Sequence, residues 1–221
     1  YFYITGVKEK EIEQYAVNLR DAGQSLLNLI NDILDFSKLE SGKMEIVEAD
    51  YHLEEVLHDA VNMVAPRMDK KGLAFKLESA PELPTGLHGD SIRIQQVLIN
   101  LLTNAAKYTN EGSVELYAGC RKISEDQIEL ILTVKDTGIG ISNENKQKLY
   151  DSFQRLEEEK NRSIQGTGLG LSIVKQTVEE YGGRVYPLSN SANSVADVLR
   201  FAVERAGIEL RAPSLVREIR R

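Results

Sequence analysis

At 221 residues the chain is long enough for one or two domains with a substantial core, and its 42% hydrophobic and 28% charged residues are ordinary for a globular protein. A net charge of −7 excludes a general nucleic-acid surface, which needs clustered lysine and arginine, but it leaves room for nucleotide binding, which needs only local positive charge. The single cysteine, Cys120, cannot form an internal disulfide and suits a reducing, cytoplasmic setting, while no run approaches the roughly 20 apolar residues of a membrane span and the N-terminus has no secretory pattern.

Residues 1–7 give no clear element. From Lys8 the apolar positions Ile12, Tyr15, Ala16, Leu19, Leu26, Leu29, Ile30, Ile33, Leu34 and Leu39 recur at three- and four-residue steps, which predicts a helix of some 30 residues closed by Ser41-Gly42. A stripe of that length wants a partner. A short strand is expected at 43–47, then an amphipathic helix over 53–68 with Val56, Leu57, Ala60, Val61 and Val64 on its apolar face. A strand follows at 74–78 and a loop at 81–84, with His88 also in a loop. Residues 90–107 read as one helix capped by Asp90, with Ile92, Ile94, Val97, Leu98, Leu101 and Leu102 facing inward. Residues 113–120 and 128–134 alternate as a β-hairpin about a polar turn at 121–127. Residues 141–165 are rich in Asn, Glu, Lys and Gln, and a helix is expected over 171–181.

Three stretches on this frame carry chemistry. Asp136-Thr137-Gly138-Ile139-Gly140 places a carboxylate where a strand stops, and two glycines at alternate positions permit φ > 0 and the approach of a flat ring to the main chain. An adenine amino group is a donor that suits such an acceptor. Gly166-Thr167-Gly168-Leu169-Gly170-Leu171 leads into an apolar helix, so its N–H groups and the positive end of the helix dipole offer an anion site. On the helix before them, Asn100, Asn104 and Lys107 fall at i, i+4 and i+7 on one face, and amide, amide and ammonium suit oxygen coordination of Mg2+ and pairing with phosphate. Either glycine stretch alone is more often mere punctuation; the order and company of the three point to a Mg-nucleotide pocket.

Together these residues resemble the ATP-binding part of the two-component sensor histidine kinases. Asn100–Thr109 is similar to that family's N box, Asp136–Gly140 to its first glycine box, Ser152-Phe153-Gln154-Arg155 to its phenylalanine-centred box and Gly166–Leu171 to its last glycine box, in the family's order. Asn31–Gly42 resembles the end of its dimerisation hairpin. The resemblance implies an α+β fold, a two-layer α/β sandwich of the histidine kinase, gyrase, Hsp90 and MutL ATPase type preceded by a long helix. It implies ATP and Mg2+ as cofactors, with Asp136 on adenine, Asn104 on the metal with Asn100 nearby, and Lys107 and Tyr108 addressing phosphate and base. Gly138, Gly140, Gly166, Thr167, Gly168, Leu169 and Gly170 shape the pocket. Residues 141–165 correspond to the family's lid, with Phe153 as its anchor and Arg155 and Arg162 as candidates to reach phosphate.

The family's phosphoacceptor motif, of the His-Glu-x-Arg-Thr-Pro type, has no counterpart here: His52, His58 and His88 all lack that context. Residues 1–42 are therefore expected to be a partial hairpin without its phosphoacceptor helix, 43–186 the catalytic domain, and 187–221 an atypical tail. After Val185 the resemblance stops; the segment from Gly183-Arg184-Val185-Tyr186-Pro187 on resembles instead, over a short stretch, the BaiN-like flavoproteins. There a helix over 195–206 and a strand-like 208–210 are expected in place of a closing strand, which would leave a sheet edge unpaired; no flavin-binding glycine motif accompanies them.

The implied activity is transfer of the ATP γ-phosphate to a histidine on a hairpin that forms a homodimer in the parent, and onward to the receiver domain of a response regulator. This fragment is not expected to autophosphorylate in cis. The alternative is a catalytically incomplete nucleotide-binding or interaction module. A gyrase-type hydrolase ranks below both, because the N-box helix carries Gln95, Gln96 and Asn100 where a water-activating carboxylate would be needed.

Overall fold

The computed structural model describes residues 9–124, 127–141, 168–180, 184–187, 196–204 and 217–218. The chain divides into two compact units, Tyr1–Met44 and Glu45–Arg221. Among the described residues no helix is long and apolar enough to cross a membrane.

The first unit holds one helix, α1 (Glu9–Glu40, 32 residues). It ends where Ser41-Gly42 predicts: Gly42 N–H donates to the Leu39 carbonyl at 3.0 Å and Lys43 N–H to the Lys38 carbonyl at 2.9 Å, the paired bonds of a Schellman close. Its apolar stripe is exposed, with Ile12, Tyr15, Leu26, Ile30 and Ile33 open to solvent and Leu19 at 76% exposure.

The second unit runs β1 (Ala49–His52), α2 (Leu53–Lys71), β2 (Ala74–Ser79), β3 (Gly86–Gly89), α3 (Ser91–Tyr108), β4 (Ser113–Lys122), β5 (Gln127–Asp136), α4 (Gly170–Glu180), β6 (Arg184–Pro187), β7 (Ala196–Glu204) and β8 (Arg217–Glu218). These strands form one sheet in the order β1-β3-β7-β5-β4-β2-β8, with β6 also paired to β7. β2 runs parallel to β4 and the other pairs are antiparallel. Burial alternates along the β4–β5 hairpin: Val114, Leu116 and Ala118 point inward from β4, and Ile128, Leu130, Leu132 and Val134 from β5. Against that face pack the apolar sides of α2, α3 and α4, so that Leu57, Val64, Leu98, Leu102, Val174 and Val178 share one core with the strands. This is the expected two-layer α/β sandwich.

Local chemistry fixes where the helices start and stop. Asp90 caps α3, one carboxylate oxygen accepting from Arg93 N–H at 3.0 Å and the other from Val47 N–H at 3.1 Å. The same side chain thus starts the helix and ties down the segment that leads into the sheet. Beside it the Tyr51 hydroxyl is buried, and burial first, then the Asp90 charge, hold its pKa far above the ordinary phenol value. At the end of α2, Gly72 takes φ +67° and returns the chain, a conformation that a Cβ would penalise. Leu73, next in the chain, then buries against the core.

Several expectations need correction. Residues 43–47 are not a strand; the strand begins at Ala49, where pairing with Gly86–Gly89 sets its register. His88 lies in β3 rather than a loop, with Nδ1 2.7 Å from Asp50 Oδ1. Ile92 is 68% exposed, because the inward stripe of α3 starts at Ile94. The run 195–206, expected as a helix in a tail without a closing strand, holds β7. It pairs with β5 from Gln127↔Glu204 to Lys135↔Ala196, so that edge of β5 is filled, and β4 is an interior strand. Positions 208–210 lie outside the described residues.

Candidate functional site

The site grows out of the C-terminal half of α3. At its C-terminal end the helix meets the turn that follows β5. Asp136, the last residue of β5, is 6% exposed; its Oδ1 accepts from the Gly138 N–H at 2.7 Å and from the Thr109 hydroxyl at 3.3 Å. Burial pushes the Asp136 carboxyl above the usual carboxylate range, and the Gly138 amide and Thr109 hydroxyl partly offset this. The Tyr108 carbonyl accepts from Ile139 N–H at 3.3 Å. Gly138 is glycine here for a steric reason: a Cβ on it would stand 2.5 Å from the Tyr108 carbonyl oxygen and 2.7 Å from Asp136 Oδ1. Only Gly140 of this pair adopts positive φ, at +70°, so the expectation of two left-handed glycines reduces to one left-handed residue and one close approach.

One side of the turn is pinned to β4. Thr137 Oγ1 accepts from Ser113 N–H at 3.0 Å, and Thr137 N–H donates to the Ser113 carbonyl at 3.1 Å. The Lys107 ammonium lies 4.7 Å above the centre of the Tyr108 ring, a cation–π distance that leaves its charge at the helix end.

Two turns back along α3, Asn100 meets the start of α4. Its Oδ1 lies 3.6 Å from where a Cβ of Gly170 would stand, ordinary contact that a larger residue would crowd. Gly168 has φ +74°. Leu169 is fully buried, and its carbonyl accepts from Ile173 N–H at 2.9 Å and from the Ser172 hydroxyl at 2.8 Å, so α4 is anchored with its first N–H groups beside Asn100. Asn104, between Asn100 and Tyr108, is half-buried on the same helix face as Asn100. Asn100 and Tyr108 are eight residues apart, about 12 Å along the helix axis.

The structure therefore brings Tyr108, Asp136 and Gly138 together at the C-terminal end of α3 and Asn100 and Gly170 together at its middle, with Asn104 and Lys107 on the turns between. Arg155, Gly166 and Thr167, like Phe153, Arg162 and nearly all of the 141–165 segment, lie outside the described residues. Two contributors escape a reading of the sequence. Thr109 is fully buried and bonds Asp136; it closes the N-box stretch, but nothing in its type or spacing gave it a role there. Lys71 donates to three carbonyls at the end of α3; in the sequence it is one of two lysines ending a helix.

Comparison with known proteins bears on the family and the fold. Residues 89–205 match the family described as histidine kinase-, DNA gyrase B-, and HSP90-like ATPase, so the match runs through β7, well past Val185, after which the motifs alone carry no resemblance. The sensor histidine kinase GacS of Pseudomonas protegens is 36% identical over 171 residues, which are 77% of this chain and 19% of that protein. The signal transduction histidine-protein kinase BarA of Escherichia coli is 35% identical over 164 residues, 74% of this chain and 18% of that one. The chain thus spans about a fifth of the length of these relatives. Among solved structures, full-length ShkA in complex with AMPPNP aligns with a TM-score of 0.74 and 28% identity, covering 94% of this chain and 42% of ShkA. The Acinetobacter baumannii histidine kinase AdeS, at 22% identity and a TM-score of 0.67 over 90% of this chain and 87% of AdeS, shares the fold. A family match over more than half of the 221 residues, on a sandwich whose site gathers at α3, means that this chain belongs to the histidine kinase-, DNA gyrase B-, and HSP90-like ATPases, as an ATP-binding catalytic module of the sensor histidine kinases of two-component systems.

Proposed function

We propose that this module holds MgATP along α3, adenine at Asp136 and phosphates toward the start of α4, and passes the γ-phosphoryl group to a histidine on the dimeric helical hairpin of its parent protein. One observation carries the reading. Among the described residues both bonds to Asp136 fall on Oδ1, which leaves Oδ2 to accept from an adenine amino group, in a turn whose backbone is cleared by Gly138.

The donor set fits the metal. Among the described residues no cluster of three or more His, Cys, Asp or Glu exists, so these residues offer no carboxylate cage. The Asn104 amide oxygen is instead a single hard ligand, suited to a small divalent ion that keeps waters and is held largely by phosphates. An ion held there would supply charge neutralisation for phosphoryl transfer. The residues of the chain orient the nucleotide: Asp136 and Gly138 fix the base, Lys107 and Tyr108 line the helix end, and Asn100, Gly168, Leu169 and Gly170 present the start of α4 to the phosphates. Arg155, Gly166 and Thr167 complete the set on the family's pattern. Phosphoryl transfer asks a protein mainly for such positioning and charge stabilisation.

The uncovered apolar stripe of α1 supports a hairpin partner and a homodimer, and a receiver domain as the next phosphate acceptor is the partner class that this chemistry calls for. The test is calorimetric ATP titration with and without Mg2+ on the unaltered chain, Asp136→Asn and Asn104→Ala. Asp136→Asn should lose binding and Asn104→Ala its metal dependence; no change in either removes the assigned roles. Labelled ATP with a separate histidine-bearing hairpin then reads transfer in trans. Binding without transfer would make the chain a nucleotide-binding module only.

A further inference from the structure

We propose that Lys71, remote in sequence from every nucleotide-binding stretch, is a positioning residue for the base end of the nucleotide site; the inference rests on the reading of Asp136 as the partner of adenine. Lys71 is the last residue of α2, just before the Gly72 turn. Its ammonium donates to the carbonyls of Ala106 at 2.7 Å, Lys107 at 2.8 Å and Thr109 at 2.8 Å. An ammonium carries three protons, so all are committed to one helix end. The last carbonyls of a helix have no partners within it, and a cation there also meets the negative end of the dipole.

The residue that Lys71 skips is the informative one. The carbonyl of Tyr108 turns to the opposite side and accepts from Ile139 N–H in the glycine turn, where Gly138 lets the two backbones approach. Of four consecutive carbonyls, three are held from α2 and the fourth from the β5 turn. In the same turn of chain the Thr109 hydroxyl reaches Asp136 Oδ1. One helical turn earlier Arg67 Nη1 donates to Thr103 Oγ1 at 3.3 Å, so the basic side of α2 follows α3 up to this point. Without the Lys71 ammonium three carbonyls pass to water, the end of α3 loosens, and Tyr108 and Thr109 no longer hold Asp136 and Gly138 in register. An arginine, with its protons in a planar fork, does not reproduce three convergent bonds.

A plain stabilising cap would lower the folded fraction and weaken every nucleotide in proportion. A positioning role falls on base selection. The experiment titrates ATP and inosine triphosphate, which has a carbonyl in place of the 6-amino group, into the full chain, Lys71→Met, Lys71→Arg and Asp136→Asn at constant Mg2+, with folded fraction checked by thermal melting. Lys71→Met should weaken ATP about tenfold, the size of one lost charge-assisted contact, leave inosine triphosphate within about twofold, and so shrink the ATP preference, with Lys71→Arg restoring it only in part. Should Lys71→Met be too unstable to titrate, Lys71→Gln gives the same ratio. An unchanged preference in the Lys71 variants overturns the inference. If Asp136→Asn still abolishes the preference, only the role of Lys71 has failed; if Asp136→Asn also leaves it intact, the adenine reading has failed with it.

Discussion

Replacing Gly138 with alanine tests the base end of the site by geometry alone. The new Cβ would stand 2.5 Å from the Tyr108 carbonyl oxygen and 2.7 Å from Asp136 Oδ1, where ordinary contact begins at 3.4 Å. The carbonyl must therefore retreat by about 0.9 Å and the carboxylate by about 0.7 Å, shifts of the size at which packed atoms lose their fit. Neither group is a flexible side-chain tip: one belongs to the end of α3 and the other is a buried carboxylate with two bonds. The Ile139–Tyr108 bond, already 3.3 Å, would break, and the 2.7 Å Gly138–Asp136 bond would stretch. Overpacking of this kind costs about 1–3 kcal/mol, and weakening one hydrogen bond to a charged group adds roughly 1 kcal/mol. The sum, about 2–4 kcal/mol, corresponds to a fall in Tm of about 4–16 °C for a protein of this size. ATP affinity should fall at least about tenfold, because the displaced carboxylate is the one that would hold the base. Scanning calorimetry and ATP titration read the two effects separately. A Gly138→Ala protein that melts within about 1 °C of the unaltered chain and binds ATP within about twofold would refute the reasoning.

Titration, capping and helix propensity supply three more tests. Because burial raises the Asp136 pKa in the folded state, its stabilising contribution is fully present below the unfolded carboxylate pKa and is lost as pH rises through the folded one. Asp136→Asn should then melt higher than the unaltered chain near neutral pH yet bind ATP more weakly, and the ATP affinity of the unaltered chain should begin to fall, on acidification, above the usual carboxylate range; melting and titration as a function of pH read both. Asp90→Ala removes the cap of α3 and the acceptor for Val47 N–H, a loss of about 2 kcal/mol visible as a Tm lower by roughly 4–8 °C. Gly23 lies inside α1, and a methyl group added to it would meet nothing within 4 Å, so Gly23→Ala should raise helicity by circular dichroism and stabilise the helix by up to about 1 kcal/mol; a drop in helicity would mean that the position is not free.

What can be read from the sequence is local. The stripes of α2 and, from Ile94 on, α3, the alternation of the β4–β5 hairpin, the Asp90 cap and the Ser41-Gly42 stop are each written within a few residues, and each lies where its spacing puts it. The failures share a dependence on distant partners. In 195–206, Val195, Val198, Leu199, Ala202 and Val203 keep helical spacing, but the same run also alternates, and pairing with β5 some sixty residues away decides for a strand. β3 carries two glycines and a histidine in four residues, with no β signature, and exists because β1 pairs with it. The site divides the same way. Asp136, Gly138 and the N box announce themselves by type and spacing, whereas Lys71 and Thr109 enter through contacts between elements that no spacing encodes.

The placement of β7 also orders the birth of the protein. β7 is late in the chain yet sits between β5 and the β3 and β6 strands, so a growing polypeptide that has finished its helices α2, α3 and α4 still presents the bare flank of β5, a run as apolar as Gln127-Ile128-Glu129-Leu130-Ile131-Leu132, to any passing strand. The final rung of that pairing, Lys135↔Ala196, abuts Asp136. Until the late strand pairs, the flank of β5 that runs up to Asp136 stays open, so the frame around that carboxylate is the last part of the sheet to close.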